Sequence, residues 1–241
     1  MGGVLGGAVN FLAFMPPNTK AAQASNQRIK VCPHLKVLRT MEGNNISCIY
    51  IPQMARPILH HPARPQPVFR DSITILFSHG NAETLGQHYD FLLSVAKHFD
   101  CSVFSYDYSG YGLSDGTPSE ESCYHDINAA FHFLTNIQNI PRHQIVVWGR
   151  SLGGGPSTDL ASRVRGLGGL VLQSAFSSAV RCRMPEMVAQ SMADIDIFIN
   201  QVQKLNFYIA VETSFYVFKI SYAWNNACIK ALFHAYEILK T

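Results

Sequence analysis

A serine set between two glycines, in Gly149-Arg150-Ser151-Leu152-Gly153, closes the β-branched run Ile145-Val146-Val147-Trp148. A Gly-x-Ser-x-Gly turn in this position drives a strand into a helix within a few residues. The serine is then held at strained backbone angles with its hydroxyl presented, and the glycines admit neighbouring backbone where a Cβ would clash. A serine hydroxyl is a weak nucleophile until a base takes its proton, and the carbonyl it attacks needs donors for the negative charge that develops on oxygen. The N–H of Leu152, opening the helix after Ser151, supplies one donor at the positive end of the helix dipole. The second is expected from His79-Gly80-Asn81-Ala82, through the N–H of Asn81, with Gly80 permitting close approach. The chemistry specified is acyl transfer, with Ser151 as nucleophile and Asn81 and Leu152 as the oxyanion hole.

These loops have to be brought together by the elements that carry them. From Ser72 the sequence alternates: strand to Phe77, helix from Leu85 to His98, strand from Ser102 to Tyr106, helix from Glu120 to Ile137. It continues with a strand from Gln144 to Trp148, a helix from Leu152 to Arg163 and a strand from Leu170 to Gln173. Nearly continuous apolar strands in a βαβα order specify a parallel sheet covered on both faces, with its active site at the carboxyl ends of the strands. Three glycine-bearing loops occupy those ends: 79–82, 107–112 and the turn at Ser151. Ahead of them, Val37 to Thr40 and Asn45 to Ile51 read as a hairpin around Gly43-Asn44. Between, residues 52–69 carry five prolines and read as an exposed loop. The organisation expected is an N-terminal segment over residues 1–36, an α/β core over 37–205 and a distinct tail over 206–241.

Two further rim residues invite a catalytic reading. His79 precedes Gly80 in the oxyanion loop, in the wrong part of the chain for the base, and is read as a structural histidine. Asp107, at a strand end, is read as a carboxylate tying down turn amides before Gly110 and Gly112.

With 241 residues, 47% hydrophobic and 15% charged, the chain is long enough for a sizeable core, and a formal net charge of +3 gives no reason to expect nucleic acid. Six scattered cysteines, with no Cys-x-x-Cys pair and no Cys/His cluster at zinc spacing, read as reduced thiols of an intracellular protein. No metal or cofactor is expected. The expected location is the cytoplasm, with peripheral contact at membranes as the second reading.

The N-terminus supports three readings. Gly2 stands where myristoylation needs a glycine, although Gly6 occupies the position that prefers Ser or Thr. Val4 to Phe14 resembles a signal-peptide apolar stretch but lacks a preceding basic residue. We read it as a short apolar segment, ended by Pro16-Pro17, that packs on the domain.

Three motifs taken together identify a family. Phe77-Ser78-His79-Gly80-Asn81-Ala82, the run 105–112 with 116–120, and Gly149-Arg150-Ser151-Leu152-Gly153-Gly154 resemble the α/β-hydrolase-domain serine hydrolases. Within these the similarity is closest to the eukaryotic subgroup that removes palmitate from cysteines of membrane-attached proteins, and Phe11 to Pro17 is similar to that subgroup's N-terminal segment. The resemblance spans about residues 11 to 205. It implies an α/β-hydrolase fold, a Ser151 acyl-enzyme, and S-acylated proteins as substrates. The subgroup's N-terminal cysteine cluster has no counterpart here, where the first cysteine is Cys32.

Departures from the family concentrate after Ser151, where the triad order requires an acid and then a histidine. The only downstream histidine is His234, in an amphipathic pattern over Trp224 to Lys240, and it is a weak candidate. The downstream acids are Asp159, Glu186, Asp194, Asp196, Glu212 and Glu237; none lies in the family's His-Gly-x-x-Asp-like turn. Asp159 falls inside the helix after Ser151, facing away from the rim. Residues 206–241 are apolar and aromatic with no recognisable strand-turn-helix order. The expectation is that this tail stands in place of the fold's last two strands, through truncation, alternative splicing or an incorrect gene model.

Overall fold

Strand residues that alternate in sequence divide between two cores. Leu76, Phe104, Tyr106, Val147, Leu170 and Leu172 join Cys123, Ile127, Ala130 and Leu160 on one face. Their neighbours Ile75, Phe77, Val103, Val146, Trp148 and Val171 join Leu85, Leu92, Val95 and Ile29 on the other. Because successive side chains of a strand point to opposite faces, strands buried on both sides must be apolar throughout, which is what the sequence showed. The computed structural model describes residues 13–53 and 73–174, with two short strands at 211–212 and 215–218.

The elements in chain order are α1 (Lys20–Lys30), β1 (Leu35–Arg39), β2 (Asn45–Ile51), β3 (Thr74–Ser78), α2 (Leu85–Phe99), β4 (Ser102–Tyr106) and α3 (Glu120–His132). They continue with β5 (Ile145–Arg150), α4 (Gly154–Arg163), β6 (Gly169–Gln173), β7 (Val211–Glu212) and β8 (Phe215–Phe218). The sheet order is β1-β2-β4-β3-β5-β6-β8-β7. Strands β4, β3, β5 and β6 run parallel, with Ser78 opposite Tyr106 and Gly149. The hairpin β1–β2 lies antiparallel on the β4 edge. This is the α/β-hydrolase fold, and its register lines up the ends of β3, β4 and β5 at one rim.

Local chemistry sets the helix ends. Ser119 and Ser122 cap each other's backbone at the start of α3, and Thr19 accepts from Ala22 N at the start of α1. Helix α2 ends at Asp100 in the left-handed conformation, φ 51°. The α-helical part of α3 is shorter than expected, because Phe133–Ile137 winds as one π turn.

Helix α1 has no counterpart in the sequence reading. Its buried residues are Ala22, Asn26 and Ile29, too small and too polar for a hydrophobic stripe to announce them. Small residues are what the crossing requires: a Cβ on Gly86 of α2 would stand 2.5 Å from the Ser25 carbonyl carbon, so the two backbones touch.

Among the described residues β6 is the last parallel strand. The tail, expected to carry no recognisable strand order, is corrected here: β8 pairs antiparallel with β6, and β7 pairs with β8. Among the described residues the β6 edge is covered by this hairpin, which blunts its tendency to aggregate. Residues 1–12, positions 54–69 of the proline-rich loop and the Arg181 to Lys204 cap lie outside the described residues. Among the described residues no helix is long and apolar enough to cross a membrane. Cys32, Cys48, Cys101 and Cys123 are free thiols. Burial pushes Cys101 up to about 12, so it behaves as a small hydrophobe.

Candidate active site

Strand β5 ends at Arg150, and Ser151 follows at φ 49°, in the left-handed region that ordinary side chains avoid. The flanking glycines account for how tightly the turn is held. A Cβ on Gly149 would stand 2.3 Å from the Gly153 carbonyl oxygen, and one on Gly153 only 2.1 Å from that of Ser78. Both separations are well inside van der Waals contact, so neither position accepts a side chain. The turn is thereby clamped against the end of β3. Ser151–Gly153 forms a single 3₁₀ turn that leads into α4. Leu152 lies in the first turn of this helical run, where backbone N–H groups have no acceptor within the helix.

The loop after β3 approaches the same point. Asn81 follows Gly80, and Ala82 has a strained φ of 56°. The Asn81 side chain is fully engaged: Nδ2 donates to the Ala13 carbonyl at 2.6 Å, and Oδ1 accepts from Tyr111 Oη at 2.7 Å and Met15 N at 2.9 Å. The buried Ala13 and Phe14 thus pack into the core beside the rim, in keeping with a packed N-terminal segment.

One rim network was not anticipated. Oε2 of Glu83 accepts from Gly80 N at 2.7 Å and from Arg150 at 2.6 Å, and lies 2.8 Å from His88 Nε2. The Arg150 guanidinium also lies 5.7 Å from the Phe77 ring centroid and 5.6 Å from that of Phe91. Burial alone would raise the Glu83 carboxyl, but hydrogen bonds from His88 and Arg150 overcome it and hold the group at about 2. Burial, together with the Arg150 charge, lowers His88 against the pull of Glu83. Glu83 therefore links the 79–82 loop to the residue preceding Ser151 through one oxygen atom. Period-two parity was the available signal, since Arg150 shares a face with Trp148; its partner 67 residues away had none.

His79 is fully buried, donates from Nδ1 to the Gly80 carbonyl at 2.8 Å, and has Nε2 3.4 Å from Asp107 Oδ1. It braces the loop. Asp107 differs from expectation: instead of binding amides of its own turn, it accepts from Leu85 N at 2.8 Å and Ser47 Oγ at 3.0 Å. It thereby ties the start of α2 to β2, favourably, because a carboxylate sits well at a helix N-terminus.

The turn amide is held from α3, where Asp126 accepts from Ser109 N at 2.7 Å and Ser109 Oγ at 2.8 Å. Burial raises this carboxyl to about 7 despite those hydrogen bonds. A native carboxyl raised above its unfolded value holds a proton that the unfolded chain has lost, so stability from this group is full below about pH 4 and falls as pH rises towards 7. Asp126→Asn keeps the acceptor for Ser109 N and removes the charge. It is expected to stabilise the fold at pH 8 relative to pH 5 by roughly 2 to 3 kcal/mol more than the natural chain. Urea unfolding at the two pH values checks this, and an equal difference between variant and natural chain at both would refute it.

His234, Glu186, Asp194, Asp196 and Glu237 lie outside the described residues, and Glu212 is described only as part of β7. Asp159, buried in α4, is paired with Arg163. Among the described residues no hydrogen bond joins the Ser151 hydroxyl to a histidine. Glu42, Glu121 and His125 bring ligand atoms within 4.8 Å of one another. They lie towards the surface, and His125 Nδ1 sits 3.0 Å from Glu42 Oε1, a contact that accounts for the grouping without an ion.

Residues 73–205 match the family model of the alpha/beta hydrolase fold. The chain is 38% identical over 193 residues to the alpha/beta hydrolase domain-containing protein aho-3 of Caenorhabditis elegans, covering 73% of this chain and 54% of that protein. Against the alpha/beta hydrolase domain-containing protein 17B of Homo sapiens it is 35% identical over 167 residues, covering 69% and 53%. The chain thus spans about half the length of these relatives. An alpha-beta hydrolase from Vibrio vulnificus shares the fold, with a TM-score of 0.60 at 18% identity, covering 86% of this chain and 74% of that one. The fold, the glycine-clamped turn at Ser151 and these similarities agree: the chain belongs to the alpha/beta hydrolase fold family.

Proposed function

We propose that the chain is a serine hydrolase that cleaves acyl thioesters or esters through an acyl-enzyme at Ser151. The observation that carries this reading is the strained, glycine-clamped conformation of Ser151, φ 49°, at the end of β5. Backbone strain persists only where the surrounding structure enforces it, and it clusters at active sites; here the clamping glycines enforce it on a residue with a nucleophilic side chain. In the proposed reaction Ser151 Oγ attacks the acyl carbonyl, its proton passing to a base. The N–H groups of Leu152 and Asn81 take the oxyanion. The carbonyl re-forms as the leaving group departs, and water then releases the acid.

A thiolate is an easier leaving group than an alkoxide. A cysteine thiol has a pKa of about 8.5, so it departs with less protonation than an alkoxide needs. Together with the resemblance of the three rim motifs to the depalmitoylating subgroup, this favours palmitoyl groups on membrane-associated proteins, met by peripheral contact with the membrane. Incubation of the full chain with a fluorophosphonate probe is expected to leave one phosphonyl adduct, on the peptide containing Ser151. Folded protein that takes up no probe would end this reading. Hydrolysis compared across acyl lengths separates a long-chain thioesterase from a generalist esterase or peptidase.

A second reading is a catalytically impaired homologue that binds acylated partners. It is favoured by the rim itself: among the described residues no histidine is hydrogen-bonded to the Ser151 hydroxyl, and the Nδ1 of His79 is given to the Gly80 carbonyl. It requires acyl-ligand binding in the absence of turnover.

A further inference from the structure

The contacts of the Asn81 side chain have an unusual partner for a rim residue: the backbone of the chain's own N-terminal segment, 66 and 68 residues away. Nδ2 donates to the Ala13 carbonyl at 2.6 Å, and Oδ1 accepts from the Met15 amide at 2.9 Å. One donor and one acceptor thus face residues i and i+2 of a passing segment, as a neighbouring β-strand would offer them. Tyr111 Oη closes the arrangement, accepting from the same Met15 amide at 2.9 Å and donating to Asn81 Oδ1 at 2.7 Å. The segment itself is anchored: Ala13 and Phe14 are buried in the core on the α3 and α4 side.

Oδ1 of Asn81 also accepts from Ala82 N at 3.1 Å, and Ala82 is the residue at φ 56°. A side-chain-bearing residue keeps such a conformation only where its surroundings over-determine it. The peptide N–H read as the second oxyanion donor belongs to Asn81 itself. Its aim is fixed by whatever fixes this side chain.

We propose that Ala13–Met15 is a strap that sets the oxyanion loop, with Asn81 as the positioning residue through which it acts. This rests on reading Ser151 as an acyl-transfer nucleophile. Oxyanion stabilisation requires donors held within tenths of an ångström of the position the oxygen will occupy. Withdrawal of the strap releases Asn81 and with it the donor, so a force or ligand acting on the N-terminal segment is transmitted to the rim.

The test uses the full chain and alters the strap without touching the rim. Met15→Pro removes the amide that Asn81 and Tyr111 share, whereas Met15→Ala keeps it and serves as the conservative comparison. Two quantities are read: the rate at which a fluorophosphonate labels Ser151, and amide hydrogen exchange over residues 79–84 and α4. In the labelling step a serine oxygen–phosphorus bond forms, the phosphorus–fluorine bond breaks, and fluoride and the serine proton leave to solvent. Its transition state uses the same oxyanion donors. Met15→Pro is expected to label at least ten-fold more slowly than Met15→Ala, with faster exchange at Asn81 to Thr84 and none in α4.

Equal labelling and equal rim exchange in the two variants would overturn the proposal. Should Met15→Pro fail to fold, Tyr111→Phe decides by the same readouts. It removes a single oxygen from a buried ring, and unaltered labelling and exchange there would overturn the proposal equally. A natural chain that takes up no probe overturns the acyl-transfer reading instead. Rim exchange then decides the strap alone, faster exchange in Met15→Pro supporting it and unaltered exchange refuting it.

Discussion

Replacing Ser151 with glycine is expected to abolish fluorophosphonate labelling and, at the same time, to leave a protein more stable than the corresponding alanine variant. Ser151→Ala removes the nucleophile but keeps a Cβ at φ 49°, so it retains the backbone strain of the natural turn. Ser151→Gly removes both. Left-handed backbone costs a side-chain-bearing residue about 1 to 2 kcal/mol, and glycine returns about 0.4 to 1 kcal/mol of that through the greater freedom of the unfolded chain. The net expectation is a glycine variant more stable than the alanine variant by about 0.5 to 1 kcal/mol. Loss of the nucleophile in triad hydrolases costs up to about a million-fold in turnover, so labelling should fall to background in both. Urea unfolding and probe uptake, measured side by side, check the two halves. Equal stability of the two variants would show that the turn is not strained; probe uptake by either variant at the rate of the natural chain would show that Ser151 is not the nucleophile.

This separation of strain from chemistry explains what was legible in the sequence. Gly149 and Gly153 could be read because a turn that admits no Cβ leaves only one residue type possible on either side of the serine. The sheet could be read because burial on both faces forces apolar residues at consecutive positions, as in Ile75-Leu76-Phe77 and Val146-Val147-Trp148. The order of strands then follows from the right-handed crossover of βαβ units, which leaves few arrangements.

What could not be read has a different physical character. Glu83 meets Arg150, and Asn81 meets Ala13, through single hydrogen bonds between positions 67 and 68 residues apart. A polar side chain at a loop end looks the same in sequence whether it faces water or another loop. Helix α1 was hidden for the opposite reason: at Gly86 its contact with α2 is made by the bare backbone of Ser25 and Asn26, and its buried residues are Ala22, Asn26 and Ile29, too few apolar side chains to form the stripe that marks a helix. Thr19, which caps α1, was the overlooked signal. Asp107 was assigned to its own turn because short-range Asp turns are common. The structure sends its oxygens to Leu85 and Ser47 and leaves Ser109 to Asp126, a choice that depends on which helix start lies nearby.

The second large effect is expected at Gly153, and it probes the clamp rather than the nucleophile. A Cβ there would stand 2.1 Å from the Ser78 carbonyl oxygen and 2.9 Å from that of His79. Those oxygens belong to the end of β3 and the start of the 79–82 loop, and β3 is hydrogen-bonded on both sides, to β4 and β5. Neither can retreat cheaply, since Ser78 is also fixed by its hydroxyl, 2.9 Å from Tyr106 Oη. Relief in Gly153→Ala must therefore come from moving the turn away by about an ångström, because carbon and oxygen need more than 3 Å. Overpacking of this kind costs about 1 to 3 kcal/mol. The displacement falls directly on the spacing between Ser151 and the Asn81 amide, and a shift of about 1 Å in a reacting group can cost about a hundred-fold in rate. Gly166→Ala supplies the comparison. Gly166 has φ 80° and nothing within 4 Å of its would-be Cβ, so alanine there costs conformational strain without displacing any neighbour. Gly166→Ala should lose stability and keep its labelling rate, whereas Gly153→Ala should lose both. If Gly153→Ala labels as fast as the natural chain, the turn has room to spare, and contact with β3 does not set the geometry of the site.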